Sequence, residues 1–336
     1  MKGLRRTTTS LLLGLGLLST AHAAQVEVHD PVMAREDGTY YVFSTGPGID
    51  IYASKDMTHW RHSDRVFSGE PSDPPWATSV APGFNGHVWA PDIVEKNGRY
   101  YLYYSVSAFG KNTSGIGVSI NETLDPAADN YRWQDQGLVL QSKPDRDNWN
   151  AIDPAVIEDD NGTAWMSFGS FWGGLKLVQL DDDMASLAQP EKVIDLATRP
   201  NTEENPIEAP FIFKRDGHYY LFASFGFCCR GVDSTYRLVV GRSDSVQGPY
   251  IDRDGVPMLE GGGTPVLSGT EAWPGLGHNG IYTFDGQDVM VFHAYEAADD
   301  GVQKLRIMNV NWDDGWPVVD PAALNANTTE LVEASS

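Results

Sequence analysis

The feature that most limits what this chain can fold into is a pattern that recurs five times along it. Each copy is a glycine preceded by Asp or Asn and followed by alternating aromatic and aliphatic residues. The copies begin at Gly38, Gly98, Gly162, Gly217 and Gly286, at intervals of 60, 64, 55 and 69 residues. Asn-Gly or Asp-Gly between two apolar runs is a strong signal for a β-hairpin. The pattern therefore predicts five hairpins, and an apolar run after each one predicts a third strand.

Repeated sheet units of roughly 60 residues are typical of the blades of a propeller. No helical periodicity of useful length interrupts the array, and no linker divides it. We expect an all-β fold, a five-bladed β-propeller, with residues 25–336 forming a single domain. A pair of β-sandwiches and a parallel β-helix remain as alternatives. The repeat is too long for one coil of a β-helix, and the fivefold register disfavours a sandwich.

The first 24 residues have the composition of a secretory signal peptide. Three basic residues precede an apolar run at 11–18, and small residues end at Ala23-Ala24. This order matches a signal peptide with an A-x-A cleavage site. A membrane anchor is the alternative, but a spanning helix needs about 20 apolar residues. We expect a signal peptide at 1–24 and a secreted or periplasmic protein.

The charge of the remaining chain excludes some classes of partner. Removing the signal peptide leaves 46 acidic residues against only 21 basic ones. A protein this acidic is repelled by nucleic acids and by anionic membranes. A neutral polymer is a compatible partner, and we expect a monomer without an organic cofactor.

The only two cysteines, Cys228 and Cys229, are adjacent. They cannot form the disulfide framework of a small secreted domain. In an oxidising compartment they can close a strained ring that locks a turn. A thiolate metal site is disfavoured because no further cysteine could complete it.

Chemically reactive side chains stand where the first strand of each unit begins, eight or nine residues before the glycine. Equivalent positions in a propeller converge around the central axis at one end. The sequence therefore predicts one pocket that contains Asp30, Asp153, Glu208, His278 and Trp89. A single Asp-Pro is usually a turn. Three acids at such positions in three of five units instead indicate a function, because burying carboxylates is costly.

Two carboxyl groups suffice for glycoside hydrolysis, one as a proton donor and the other as a base or nucleophile. Glu208 lies in an apolar Ile-Glu-Ala-Pro segment, where burial and a like charge would raise its pKa and make it the better donor. Asp30, in a polar setting, suits the base, and Asp153 would keep Glu208 protonated. A metal site built from the acids and His278 is the rival interpretation, which the spacing leaves open.

The ordered set of motifs resembles the family 43 glycoside hydrolases, in particular those that cleave α-1,5-linked L-arabinan. The motifs are His29–Pro31 (HDP), His87–Asp92 (HVWAPD), Asn150–Pro154 (NAIDP), Gly169–Trp172 (GSFW), Ile207–Pro210 (IEAP), Cys228–Gly231 (CCRG) and Gly277–Asn279 (GHN). The resemblance spans essentially the whole mature chain. It implies a five-bladed propeller and an inverting mechanism.

The resemblance also assigns roles to residues. Asp30 would be the general base, Glu208 the general acid, and Asp153 the residue that tunes and positions the acid. His278 would face an axial metal ion, calcium in many members, through a mostly hydrated shell. Expected substrate contacts are His29, Trp89, Phe109, Asn150, Ser170, Trp172 and Arg230.

The substrate expected from this resemblance is arabinan and its oligosaccharides, cleaved in the endo mode. An exo-acting arabinanase, an arabinofuranosidase and a β-xylosidase of the same family are the enzyme alternatives. A non-catalytic carbohydrate-binding propeller is the alternative from another class. It is disfavoured because a lectin does not need all three acids.

Overall fold

The computed structural model describes residues 24–69, 72–326 and 329–332. All but the last residue of the expected signal peptide lies outside this part of the chain. The described residues form five antiparallel sheets, one for each repeat. The first strands of the five sheets contact one another in a closed cycle, so the sheets surround a common axis. The expected five-bladed β-propeller is therefore confirmed.

Each blade contains four strands, and the first of them lies nearest the axis. Blade 1 comprises β1 (Val32–Glu36), β2 (Thr39–Ser44), β4 (Asp50–Ser54) and β5 (His59–Arg65). The short strand β3 (Gly46–Pro47), between β2 and β4 in the chain, pairs with blade 2 instead. Blade 2 comprises β6 (His87–Lys96), β7 (Arg99–Val106), β8 (Ser114–Asn121) and β9 (Gln134–Ser142). Blade 3 comprises β10 (Ala155–Glu158), β11 (Ala164–Phe168), β12 (Leu175–Gln179) and β13 (Ile194–Ala197).

The last two blades follow the same order. Blade 4 comprises β14 (Ile207–Arg215), β15 (His218–Phe225), β16 (Arg237–Ser243) and β17 (Thr264–Leu267). Blade 5 comprises β18 (Leu276–Phe284), β19 (Gln287–Glu296), β20 (Val302–Asp313) and β21 (Trp316–Val318). A final strand, β22 (Glu330–Leu331), returns to blade 1. The helical segments are short: α1 (Ala77–Val80), α2 (Ala323–Ala326) and 3₁₀ turns at Gly231–Asp233, Met258–Glu260 and Ala297–Asp299.

Four of the five predicted hairpins have the expected two-residue turn. In each of them the Asp or Asn and the following Gly both have positive φ, with values of 55° and 73° at Asn97 and Gly98. Positive φ at both central residues defines a type I′ turn. Blade 3 differs, because Glu158 pairs with Ala164 and leaves a five-residue loop. There Asp159 accepts hydrogen bonds from the backbone N–H groups of two loop residues, which stabilises the longer turn.

The hydrophobic core consists of five clusters, one at each interface between neighbouring blades. The cluster between blades 1 and 2, for example, includes Phe43 and Leu102, and the cluster between blades 4 and 5 includes Phe222 and Phe292. These four side chains are fully buried. Successive side chains on a strand point to opposite faces of its sheet, and each face packs against a different neighbouring blade. This arrangement explains why the repeats are apolar on both faces.

The ring closes where both ends of the described chain meet between blades 5 and 1. The carbonyl of Val26 accepts a hydrogen bond from the N–H of Leu305 in β20, and the Val26 N–H donates to the carbonyl of Thr329. Strand β22 then pairs in parallel with β5 at the outer edge of blade 1. One strand from the C-terminal end of the chain thus completes the blade that the N-terminal end begins.

No helix among the described residues is both long enough and apolar enough to cross a membrane.

Candidate active site

Each blade has one residue in the left-handed backbone conformation within a few residues of the start of its inner strand. These residues are Asp30, Ala90, Asp153, Ala209 and His278, with φ between 46° and 58°. The fivefold register therefore brings Asp30, Asp153 and His278 to equivalent places. The expectation that Glu208 and Trp89 share this position is wrong by one residue, since each precedes the left-handed residue of its blade. In both strands the pairing register with the next strand shifts directly after Glu208 and Trp89.

A side chain from the preceding blade accepts a hydrogen bond from the N–H of each left-handed residue. In four cases the acceptor stands seven residues after the turn glycine of its own blade. The N–H groups of Ala90, Asp153, His278 and Asp30 donate to Thr45 Oγ1, Ser105 Oγ, Ser224 Oγ and His293 Nδ1 at 2.8, 3.0, 2.9 and 3.0 Å. In blade 3 the corresponding residue is Gly169, which has no side chain. The Ala209 N–H donates to Asp153 Oδ2 instead, at 3.1 Å.

The Asp30 carboxylate is buried and surrounded by hydrogen-bond partners. Its Oδ1 lies 2.9 Å from His29 Nδ1 and 3.0 Å from His278 Nδ1. Thr45 donates its hydroxyl to Oδ2 at 2.6 Å. Burial alone would raise the pKa of Asp30, but electrostatic attraction and hydrogen bonds from His29 and His278 hold it well below its usual range. Asp30 is therefore ionised at neutral pH.

Glu208 is equally buried but has the opposite tendency. Burial raises its pKa, and the Asp30 charge adds to the effect, while contacts from Ser170 and Tyr236 lower it. Ser170 donates its hydroxyl to Glu208 Oε2 at 2.6 Å. Two carboxyl groups with oppositely shifted pKa values in one site are typical of an acid and a base.

Asp153, the acid of blade 3, contacts the segment that carries Glu208. Its Oδ2 accepts the N–H of Ala209, the residue next to Glu208. Burial raises the pKa of Asp153, and the Glu208 and Asp30 charges raise it further against the lowering effect of His278. The two carboxyl groups of Asp153 and Glu208 therefore oppose each other's ionisation.

His278 is buried, and its Nδ1 is engaged with Asp30. Burial lowers its pKa, but the acids around it outweigh this and raise the pKa to about 9. The next residue, Asn279, has a buried side-chain amide for which the described residues supply no hydrogen-bond partner. One imidazole nitrogen and one amide oxygen fit an ion that keeps most of its water ligands. They do not form the cage of six to eight oxygen ligands that is typical of a tightly held calcium ion.

Among the described residues, two clusters at this site have suitable geometry for metal binding, and neither contains His278. One joins His29, Asp30 and His293, and the other joins His29 to both cysteines. The cysteines form a disulfide, so they are not available as thiolates.

The residues expected to contact substrate occupy different settings. Ser170 and Asn150 are buried, and Asn150 Oδ1 has no hydrogen-bond partner among the described residues. Trp89 is half-buried at the start of β6. Phe109 and Trp172 are 81% and 40% exposed.

The other two expected contacts have defined neighbours. His29 uses both ring nitrogens, Nδ1 toward Asp30 and Nε2 toward the Tyr295 hydroxyl at 2.8 Å. This leaves the edge of its ring, rather than a nitrogen, for contact with a ligand. Arg230 is exposed, and its guanidinium lies 3.9 Å from the ring centre of Phe227.

Several residues of the site were not expected from the sequence. They are Thr45, Ser105, Ser224, His293, Tyr236 and Tyr295. For the first four a signal exists, because they recur seven residues after a turn glycine. Tyr236 and Tyr295 have no such shared spacing.

Comparisons with known proteins agree with this architecture. An extracellular exo-α-(1→5)-L-arabinofuranosidase of Cellvibrio japonicus is 55% identical, over 96% of each chain. An extracellular endo-α-(1→5)-L-arabinanase of Bacillus subtilis is 39% identical, over 92% of this chain and 95% of its own. The solved α-L-arabinanase of Cellvibrio cellulosa in complex with arabinohexaose superposes with a TM-score of 0.87 at 54% identity, covering 93% of this chain and 100% of that one.

A five-bladed propeller with such relatives defines a glycoside hydrolase. The profile of the glycosyl hydrolases family 43 matches residues 23–317, which is most of the chain. The chain belongs to family 43 of the glycosyl hydrolases.

Proposed function

We propose that this protein hydrolyses α-1,5-linked L-arabinan by an inverting mechanism in which Asp30 is the base and Glu208 the acid. The observation that supports this most directly is the opposite pKa shift of these two buried carboxyl groups in one site. The proposed substrate is supported by the relatives, which are named an α-(1→5)-L-arabinofuranosidase and an α-(1→5)-L-arabinanase and whose sequences align along nearly the whole chain.

In this mechanism the ionised Asp30 accepts a proton from a water molecule as its oxygen attacks the anomeric carbon. Protonated Glu208 donates its proton to the glycosidic oxygen as the bond from that oxygen to the anomeric carbon breaks. Attack from the face opposite the leaving group inverts the configuration of that carbon. Asp30 ends protonated and Glu208 ionised, and exchange with solvent restores both.

Asp153 acts on the acid rather than on the sugar. Its contact with the Ala209 N–H fixes the backbone beside Glu208. When Asp153 is ionised, its charge opposes the ionisation of Glu208 and so favours the protonated form that donates. Asp153 is thus proposed as the residue that tunes and positions the acid.

We also propose one axial metal ion, calcium, held by His278 with Asn279 beside it and with water completing its shell. Such an ion would supply positive charge close to the acids. Calorimetric titration with calcium tests this, and His278→Ala should abolish the binding. Calcium binding that persists unchanged in the variant would exclude His278 as a ligand.

The proposed sugar contacts are the remaining predicted residues. The exposed rings of Phe109 and Trp172 and the half-buried ring of Trp89 can pack on furanose rings. The unpaired Asn150 Oδ1 can accept a hydrogen bond from a sugar hydroxyl, and Ser170, His29 and Arg230 are proposed as further contacts to the sugar.

Endo and exo cleavage of the polymer are both candidates for this protein. The motifs favour endo cleavage, and the B. subtilis relative is named an endo-arabinanase. The C. japonicus relative, at higher identity, is named for exo cleavage, which favours the exo mode as a second candidate.

Both relatives are named extracellular. Together with the N-terminal segment, these names support secretion of this protein.

The decisive experiment incubates the mature protein with linear, debranched and branched arabinan and with xylan, and follows product sizes over time. A ladder of oligomers indicates endo action, and one short product from the start indicates exo action. NMR of the first product gives its anomeric configuration. Hydrolysis that retains the configuration would contradict the mechanism, and no release from any polymer would favour a carbohydrate-binding propeller.

Glu208→Gln tests the assignment of the acid. General acid catalysis contributes roughly 10²–10⁴-fold to rate, so we expect kcat on linear arabinan to fall by that factor. The melting temperature should stay close to that of the wild type. Glu271→Gln, at an exposed position, is the matched control and should keep full activity. Normal turnover by Glu208→Gln would exclude Glu208 as the acid.

A further inference from the structure

A line of hydrogen bonds connects the Cys228–Cys229 turn to Asp30. The backbone N–H of Cys229 donates to the Tyr295 hydroxyl at 2.8 Å. The same hydroxyl lies 2.8 Å from His29 Nε2. His29 Nδ1 in turn lies 2.9 Å from Asp30 Oδ1. Tyr295 is 2% exposed, so water does not compete for its hydroxyl.

The partners of Tyr295 determine the direction of its own proton. Its oxygen accepts from the Cys229 N–H, and a hydrogen bond with Ser234 lowers its pKa, as a donor to that oxygen does. Burial outweighs both and raises the pKa of Tyr295, so its proton is retained. That proton is directed to His29 Nε2. A neutral imidazole that accepts at Nε2 carries its hydrogen on Nδ1, which then donates to Asp30.

The ring of His29 is held in place by packing as well. It stacks on the ring of His293, with centroids 4.0 Å apart. His293 Nδ1 accepts the Asp30 N–H, so His293 also fixes the backbone of the base. Burial lowers the pKa of His293 well below its usual value, consistent with a neutral acceptor.

The other end of the line is fixed by the disulfide between the adjacent cysteines. Cys229 has a φ of 65°, in the left-handed region that non-glycine residues adopt at a cost. An eight-membered ring removes most of the freedom of this turn. The Cys229 N–H is therefore held toward the Tyr295 hydroxyl, although the loop around it is partly exposed.

We propose that Tyr295 is a positioning residue for the general base, and that the Cys228–Cys229 ring anchors it. Tyr295 selects the tautomer of His29 in which an N–H, not a lone pair, faces the Asp30 carboxylate. The carboxylate is thereby oriented for the attacking water. The inference rests on the role proposed for Asp30.

The test compares Tyr295→Phe with a ring-opened variant, Cys228→Ala/Cys229→Ala, and with the variant that combines all three changes. Tyr250→Phe is the matched control, because Tyr250 is also buried and donates its hydroxyl to a backbone carbonyl, at Val246, away from the site. Each protein is assayed for kcat and KM on arabinohexaose. The tautomer of His29 is read from ring nitrogen shifts in ¹⁵N-histidine-labelled protein, with the His29 signals assigned from a His29→Asn sample.

We expect Tyr295→Phe to lower kcat roughly 10- to 100-fold, as misplacement of a catalytic group does, with KM changed less than about twofold. The His29 signals should move from the Nδ1–H tautomer toward a mixture. The ring-opened variant should shift both readouts in the same direction. The combined variant should resemble Tyr295→Phe alone, because the two changes act through one path.

Retention of both kcat and tautomer in Tyr295→Phe would overturn the proposal, as would a loss no larger than that of Tyr250→Phe. Additive losses of kcat in the combined variant would show that the disulfide does not act through Tyr295, and would contradict its proposed role as the anchor. Should Tyr295→Phe fail to fold, the ring-opened variant carries the same test, and unchanged His29 signals in it would contradict the anchor. The His29 signals need no substrate, so they remain informative even if the protein does not act on arabinan.

Discussion

Glu208 keeps its raised pKa against two hydroxyl groups that favour its ionised form. Ser170 donates to the carboxylate at 2.6 Å, and Tyr236, the residue before β16 of blade 4, also contacts it. Burial outweighs both contacts. The balance between a dry environment and two polar contacts therefore sets the pH range over which the acid can donate.

This balance predicts the pH dependence of activity. Glu208 must be protonated to donate, so activity is present below its folded-state pKa and lost as pH rises through it. Tyr236→Phe removes a contact that lowers this pKa, so the alkaline limb of kcat/KM on linear arabinan should move to higher pH. Tyr220→Phe, whose hydroxyl donates to the Gly315 carbonyl outside the site, is the control. A limb that stays in place or moves to lower pH would show that another group controls it.

At the scale of residues, the sequence was sufficient to predict that Asp30, Asp153 and Glu208 converge. Asp30 and Asp153 could be located because the start of each inner strand is found by counting back from a turn glycine. Glu208 was located to within one residue, since the left-handed residue beside it leaves no mark in the sequence. Tyr236 and Tyr295 could not be predicted, because their approach depends on the paths of loops rather than on the repeat.

At the scale of elements, the blades are joined at the axis by side chains that accept hydrogen bonds from backbone N–H groups at the inner strand of the next blade. Thr45, Ser105 and Ser224 do this with hydroxyl groups in three blades, and His293 does it in a fourth. In the remaining blade, a Cβ on Gly169 would approach the Gly174 carbonyl to 2.6 Å, so no side chain fits there. The Asp153 carboxylate takes its place. The repeat thus requires an acceptor at this point whether or not the site is catalytic.

Ser224→Ala tests this joint. The change leaves the buried N–H of His278 without its acceptor, and an unsatisfied buried donor costs about 1–3 kcal/mol. We expect the free energy of unfolding, measured by urea denaturation, to fall by that amount. Ser268→Ala, at an exposed position, should change it by less than about 0.5 kcal/mol. Equal values for the two variants would mean that the joint does not stabilise the ring.

The elements themselves were largely predictable, since alternating apolar residues after an Asn-Gly or Asp-Gly turn determine a hairpin locally. The exception is the turn before β11. Its Asn161-Gly162 pair suggests a type I′ turn, but Asp159 caps two backbone N–H groups of a longer loop. A local side-chain hydrogen bond competes there with the two-residue turn, as it does for many aspartates.

At the scale of the whole molecule, the ring depends on contacts between residues that are far apart in sequence. Val26 and Val28 pack against Trp60 of blade 1 and Leu305 of blade 5 in one buried cluster. The repeat does not encode this closure, because the segments before the first glycine and after the last blade carry no copy of the pattern. The closing strand β22 could therefore not be predicted from the period.

Val26→Ala tests how much this closure stabilises the propeller. Val26 is fully buried between the first and last blades, so the change leaves a cavity in the interface. Removing two buried methyl groups costs about 0.8 kcal/mol each in transfer free energy, plus a cavity term, so a loss of about 2 kcal/mol is expected. Val318→Ala, at a position 43% exposed in β21, is the matched control and should lose less than about 0.5 kcal/mol. Because every blade interface shares in one ring, the Val26→Ala protein should still unfold in a single transition at a lower urea concentration. A separate early transition would instead show that blades 1 and 5 open while the others stay folded.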